Sequence, residues 1–322
     1  MASAPAESGN VKPGNSPSSN LNPLSSLRKW GGFVRFSHTI FALPFALAAM
    51  MVAARENRGW PGWRTFLLIL AAMISARTCA MSFNRIADRK FDALNPRTAG
   101  RHLPTGQISL FSAMSLCVLS GAGLLAASFF LNPLCFYLSP VALAVICFYS
   151  LTKRFTDYTH LFLGVALALA PAGAWLAVKG TEVSAPEIAQ MLLLAASVVL
   201  WLVGFDIIYA LQDYEFDRAH GLRSLVVAWG PKNALGAAFL AHLFMSGLLL
   251  AFGLFTFGPR CFAYLIGWGI ILACLVLEHW IARRRSLNWI NVAFFRLNAV
   301  VSAVFFAVVA VEVVFPGRFA WR

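Results

Sequence analysis

Two short windows of this 322-residue chain gather polar side chains at helical spacing. The first reads Asn84-Arg-Ile-Ala-Asp88-Arg-Lys-Phe-Asp92, so Asn84, Asp88 and Asp92 recur at i, i+4 and i+8. On an α-helix they form one stripe that drifts by about 40° per step. Like charges at that spacing repel unless a cation sits on them. Hard oxygens on one face suit Mg²⁺, which keeps waters and shares phosphate ligands. The second window reads Asp206-Ile-Ile-Tyr209-Ala-Leu-Gln-Asp213-Tyr-Glu-Phe-Asp217. Asp206, Tyr209, Asp213 and Asp217 fall at i, i+3, i+7 and i+11, again one stripe if the helix is continuous. Glu215 points elsewhere and reads as a solvated flank. Two such stripes facing each other can hold two cations with a diphosphate between them.

A diphosphate also needs permanent positive charge. Arg97 and Arg101 follow the first stripe, Lys153 and Arg154 lie mid-chain, and Arg223 follows the second stripe. Taken singly, each is explained by the excess of basic residues on the inner side of membrane proteins.

The elements that position these residues must lie in lipid. The chain is 59% hydrophobic and 12% charged, against about 25% charged in soluble domains. Nine stretches are long and apolar enough to span a bilayer: near 31–54, 63–84, 108–130, 134–151, 160–178, 188–212, 233–257, 261–282 and 292–315. Residues 1–27 are rich in Ser, Pro, Asn and Gly and read as a disordered tail, leaving 28–322 as one transmembrane domain. On the side of the tail the connections carry 16 Lys and Arg, against 7 on the other. That bias puts the tail and both acidic windows in the cytoplasm, with the body of the protein in the plasma (inner) membrane. The net charge of +13 is thus a matter of topology and anionic lipid rather than of nucleic acid.

Three smaller features belong to the first span or to the cysteines. Arg35 is an intramembrane cation that wants an anion, and the carboxylate of a bound substrate would serve. His38 reads as a packed polar residue and Pro44 as a kink. The six cysteines lie in or beside apolar stretches without a CxxC pair, and read as small hydrophobes.

The ordered motifs resemble the UbiA superfamily of intramembrane prenyltransferases. Its Asn-x3-Asp-x3-Asp motif matches Asn84, Asp88 and Asp92, and its Arg-Thr and Arg-Pro-Leu-Pro-x-Gly continuation resembles Arg97-Thr98 and Arg101-His102-Leu103-Pro104-Thr105-Gly106, with His102 in place of Pro. Its Tyr-x3-Lys-Arg element matches Tyr149, Lys153 and Arg154, with Thr159-His160 where Pro-Gln often follows. Its Asp-x2-Tyr-x3-Asp-x3-Asp motif matches Asp206, Tyr209, Asp213 and Asp217.

The resemblance implies an all-α bundle of nine transmembrane helices around a central cavity. It implies Mg²⁺-dependent transfer of a polyprenyl group from its diphosphate to an aromatic acceptor. Asn84, Asp88, Asp213 and Asp217 would hold Mg²⁺ and diphosphate, Asp92 and Asp206 would complete the acidic rims, and Lys153, Arg101 and Tyr209 would bind phosphate oxygens. The acceptor expected from the segment 75–109 is 4-hydroxybenzoate, in respiratory quinone biosynthesis. A 1,4-dihydroxy-6-naphthoate-type acceptor of the futalosine menaquinone route is the alternative. The expected partners are these two substrates and membrane lipid, with no obligate protein partner. A CDP-alcohol phosphatidyltransferase would show a different acidic pattern on adjacent helices. A cation-coupled transporter would place its carboxylates near mid-membrane, whereas these sit at one surface.

Overall fold

The computed structural model describes residues 23–35, 39–284 and 287–316, and among them all regular structure is helical. In chain order the helices are α1 (Pro23–Phe33), α2 (Thr39–Ala53), α3 (Trp63–Leu94), α4 (Leu110–Leu131), α5 (Pro133–Phe148), α6 (Thr159–Lys179), α7 (Ala185–Ala210), α8 (Tyr214–Ala219), α9 (Leu225–Phe257), α10 (Phe262–Arg284) and α11 (Leu287–Val314). Short 3₁₀ turns at Tyr149–Arg154 and Leu211–Asp213 extend α5 and join α7 to α8.

Eight of the described helical segments are long and apolar enough to cross a membrane. Phe111, Val118, Leu119 and Tyr137 are at least 70% exposed, a surface that only lipid tolerates on this scale. The protein is therefore a multi-pass membrane protein. The first of the nine expected spans differs. Instead of one helix over 31–54 there are α1 and the 15-residue α2. The break follows Gly31-Gly32, and Arg35 sits at φ 47°, a left-handed conformation that no helix continues through. Helix α1 begins at Pro23, inside the segment expected as tail. His38 lies outside the described residues, as do residues 1–22. Pro44, read as a kink, lies within α2.

Local sequence fixes where the helices start. Ser109 Oγ accepts the Ser112 N–H at 3.1 Å and opens α4. Asn132 Oδ1 accepts from the Cys135 N–H at 2.9 Å and opens α5, while its Nδ2 donates to the Leu176 carbonyl at 3.0 Å near the end of α6. Ser184 and Glu187 form a capping box at the start of α7. Each cap satisfies backbone donors that would otherwise be orphaned.

Packing then sets the site. Phe45, Trp201, Met245, Leu249, Phe252 and Phe305 fill a core shared by α2, α7, α9 and α11. Ile207, Ile208, Val226, Ala234 and Ala238 form a second cluster that pins the end of α7 to α9. Gly164 permits α6 to approach α7: a Cβ there would lie 2.7 Å from the Val199 carbonyl oxygen. Phe33 and Val34 pack with Ile108 and Ala113, seating the end of α1 against the start of α4.

Candidate active site

The end of α3, the 3₁₀ turn after α5 and the α7–α8 junction meet at one end of the bundle. They bring both acidic windows together, as expected. Asn84 Nδ2 donates to Asp88 Oδ2 at 3.0 Å, and Arg154 Nη2 stands 3.7 Å from Asp88 Oδ1. Asp92 is buried and turned to Arg101, whose Nη1 donates to Oδ1 at 2.6 Å, with Arg85 Nη1 3.9 Å from the other oxygen. Across the site Arg97 Nε donates to Asp213 Oδ1 at 2.8 Å, its Nη2 donates to the second oxygen, and Asn95 Nδ2 adds a bond at 3.0 Å. Arg97 also lies over the Tyr209 ring at 5.5 Å and donates to its hydroxyl at 3.3 Å. Lys153 Nζ donates to Asp217 Oδ2 at 3.2 Å. His160 Nδ1 lies 2.6 Å from Asp206 Oδ2. Glu215 is exposed, the solvated flank expected.

The second stripe is not one continuous α-helix. The 3₁₀ turn Leu211–Asp213 advances about 120° per residue where an α-helix advances 100°, so Asp213 and Asp217 are rotated by roughly 60° from where a continuous helix would place them.

Burial works against the Arg97 charge. The hydrogen bonds and charge of Asp213 outweigh it, so the guanidinium is held above its ordinary range and stays charged. His102, where the family has proline, forms an edge-to-face contact with Phe33 at 6.2 Å. Burial, Arg85 and Lys29 push its imidazole below the usual histidine range.

Below the acids, α3, α4, α5 and α6 enclose a cavity of about 370 Å³ lined almost wholly by apolar side chains. Along α3 it runs from Ile69 to Met81, about 18 Å at 1.5 Å per residue. Arg77 and Tyr149 line the end next to Asn84 and Lys153. Arg77 Nη2 donates to the Arg35 carbonyl at 2.9 Å, while its buried Nε has no hydrogen-bond partner.

Sequence reasoning missed several of these residues. Arg97 was named among the candidate cations but not paired with Asp213, and Arg77, Asn95 and Arg85 carried no motif. His160 gave a signal only as a departure, histidine where the related motif has Gln.

Among the described residues no three His, Cys, Asp or Glu side chains form a ready metal cage. Mg²⁺ takes one or two carboxylates and completes its shell with phosphate and water. Asp88, Asp213, Asp217 and the Asn84 amide supply oxygens of the right hardness.

The UbiA prenyltransferase family matches residues 42–300. A 4-hydroxybenzoate octaprenyltransferase of Alcanivorax borkumensis is 34% identical over 230 residues, 71% of this chain and 76% of that protein. One from Pseudomonas aeruginosa is 33% identical over 256 residues, 78% of this chain and 82% of that protein. Among solved structures, an apo UbiA homologue from Aeropyrum pernix K1 aligns with a TM-score of 0.76 at 33% identity, covering 86% of this chain and 98% of that one. A UbiA homologue from Archaeoglobus fulgidus bound to DMAPP and Mg²⁺ shares the fold with a TM-score of 0.64 at 22% identity, covering 88% of this chain and 99% of that one. With its motifs, its helical bundle and its relatives in agreement, the chain belongs to the UbiA prenyltransferase family and is a polyprenyltransferase.

Proposed function

We propose that the chain transfers a polyprenyl group from its diphosphate to 4-hydroxybenzoate, with Mg²⁺, in respiratory quinone biosynthesis. One observation carries the reading: acids paired with cations sit at one end of the bundle, immediately above an apolar cavity deep enough for an isoprenoid tail. The names of the curated relatives support the acceptor. The distribution of Lys and Arg supports a cytoplasmic site in the inner membrane.

The roles follow from the pairs. Asn84, Asp88, Asp213 and Asp217 hold Mg²⁺ with the diphosphate, and Asp92 keeps Arg101 at the α3 side of the rim. Arg97 and Lys153 move from Asp213 and Asp217 to phosphate oxygens, exchanging one anion for another at little cost in charge burial. Tyr209 steadies the diphosphate through its hydroxyl. Bound Mg²⁺ supplies compact positive charge to the leaving group. Ionisation of the allylic C–O bond is then favoured by charge arranged in advance. The cavity keeps the tail extended and shields the allyl cation from water. Arg77, a half-buried guanidinium in an otherwise apolar lining that also includes Tyr149, offers the counter-charge for an acceptor carboxylate, with Arg35 holding it through its backbone carbonyl.

The test is to incubate purified protein with a polyprenyl diphosphate, Mg²⁺ and each of 4-hydroxybenzoate and a 1,4-dihydroxy-6-naphthoate. Prenylated 4-hydroxybenzoate as the dominant product is expected. Product from the naphthoate alone moves the enzyme to the other quinone route.

A further inference from the structure

We infer that Arg85 binds the ring hydroxyl of the acceptor as an oxyanion, at the opposite end of the molecule from the carboxylate that Arg77 takes. The inference rests on the aromatic acceptor proposed above and holds for any hydroxylated ring acid.

Arg85 is a buried cation without a hydrogen bond. Its side chain is 7% exposed, and Asp92 Oδ2 stands 3.9 Å from its Nη1, beyond hydrogen-bond length. Asp92 is already neutralised by Arg101, whose Nη1 donates to it at 2.6 Å. Among the described residues the Arg85 guanidinium donates to no acceptor, whereas Arg97, Arg101, Lys153 and Arg154 each donate at least one hydrogen bond. Unpaired donors of a charged group are costly to bury. The surroundings add to the cost. Arg101 and His102 from the loop after α3 and Arg35 from the break between α1 and α2 lie in the same field, against Asp92 and the Tyr149 hydroxyl alone. This balance calls for an anion brought by a ligand.

Position says which anion. Arg77, Met81 and Arg85 recur at i, i+4 and i+8, a ridge of α3 beside the one that carries Asn84, Asp88 and Asp92. Arg77 and Met81 line the apolar cavity, and Arg85 stands one turn above Met81. Tyr149 lines the same end of the cavity, within Coulomb reach of Arg77, Arg85 and Asp88 together. Arg77 and Arg85 are about 12 Å apart along the helix axis, a span that one aromatic ring with a hydrogen bond of about 2.9 Å at each end can bridge. Arg85 follows Asn84 directly, so it is level with the diphosphate ligands, and Arg77 is two turns deeper. The attacked ring carbon must lie beside the allylic carbon, just below the diphosphate. A ring hydroxyl activates the carbon next to it. The hydroxyl end therefore points up to Arg85 and the carboxylate end down to Arg77.

A guanidinium beside that oxygen favours its ionised form. The acceptor gives its hydroxyl proton to water on binding and reacts as the phenolate. An oxygen lone pair moves into the ring, and a ring π pair forms the new C–C bond. The allylic C–O bond breaks, and its electron pair leaves with the diphosphate. The ring C–H proton then passes to water, and the C–H pair restores the aromatic phenolate. Arg85 is thus a catalytic residue by contact with the substrate oxygen.

The experiment compares full-length wild type, Arg85→Met and Arg85→Lys across pH, with 4-hydroxybenzoate and 3-fluoro-4-hydroxybenzoate, whose hydroxyl ionises more readily. Arg85→Met should lower kcat/KM for 4-hydroxybenzoate by about 100-fold, move the acidic limb of its pH profile upward, and leave KM for the prenyl diphosphate near the wild-type value. The deficit should shrink with the fluorinated acceptor, and Arg85→Lys should recover part of the loss. Benzoate, which lacks the hydroxyl, should inhibit wild type and Arg85→Met equally. A thermal shift on adding Mg²⁺ with geranyl diphosphate identifies folded variants. Should Arg85→Met not show it, Arg85→Lys against wild type carries the same comparison of acceptors and pH. A folded variant with unchanged acceptor kcat/KM overturns the inference, and so does an equal deficit with both acceptors at an unmoved acidic limb. Weaker inhibition of Arg85→Met by benzoate also overturns it. A wild type that prenylates no hydroxylated ring overturns the aromatic reading itself, which is a separate failure.

Discussion

Arg97 grips both carboxylate oxygens of Asp213 across the site, with Asn95 bonded to the same Asp213 Oδ1. A fork of this kind needs the planar guanidinium, which a lysine lacks. Arg97→Lys should lose about one charge-assisted hydrogen bond, roughly 1.5–3 kcal/mol. At about 1.4 kcal/mol per decade, kcat/KM for the prenyl diphosphate should fall some tenfold to hundredfold. Steady-state kinetics with varied diphosphate check this; an unchanged kcat/KM would remove Arg97 from the diphosphate site.

The apolar cavity predicts a limit on chain length. An added Cβ at Gly173 meets nothing within 4 Å, and Gly173 lines the cavity. Gly173→Leu should therefore place its side chain in the space for the tail. The longest polyprenyl diphosphate accepted should shorten, while short allylic diphosphates keep their rate. Competition between diphosphates of different length, read by mass spectrometry, decides it.

Helix contact sets a stability prediction. Gly164→Ala would push a methyl to 2.7 Å from the Val199 carbonyl oxygen and 3.2 Å from its Cα. Backbone cannot step aside as a flexible side chain can. The variant should lose about 1–3 kcal/mol, seen as a lower Tm in detergent, and should weaken turnover by shifting α6 against α7.

The seating of α1 should depend on pH. Burial, Arg85 and Lys29 hold the His102 imidazole below its ordinary value of 6.5. A depressed histidine contributes stability that is present above the ordinary value and is lost as pH falls below it. Acidification should therefore loosen α1 from His102, and Trp30, in edge contact with Phe33 at 5.8 Å, should report it by fluorescence. His102→Phe should abolish the response.

How much of this was legible beforehand varies by residue. Asn84, Asp88 and Asp92 recur within one helix, so periodicity alone put them on one face, and α3 carries them there. The apolar spans were legible for the same reason: hydropathy is a local sum. The split of the first span was not, because a hydropathy window over 31–54 sees Phe33 and Val34 before the turn at Arg35 and the apolar run from Phe41 after it, and averages over the turn. The 3₁₀ turn at Leu211–Asp213 was hidden as well, since it changes rotation without changing composition. The pairings of Arg97 with Asp213 and of His160 with Asp206 were not legible because the partners lie 116 and 46 residues apart. Sequence spacing says nothing about such pairs until the helices are packed.

The central claim is that the paired acidic stripes drive Mg²⁺-dependent prenyl transfer. Its most direct test compares wild type with Asp88→Ala, using a polyprenyl diphosphate and 4-hydroxybenzoate, with Mg²⁺ titrated in and then chelated. The account predicts product only with Mg²⁺ in wild type, and a loss of about 10²–10³-fold or more in a folded Asp88→Ala. Wild-type turnover after chelation, or an Asp88→Ala variant as fast as wild type, would contradict it.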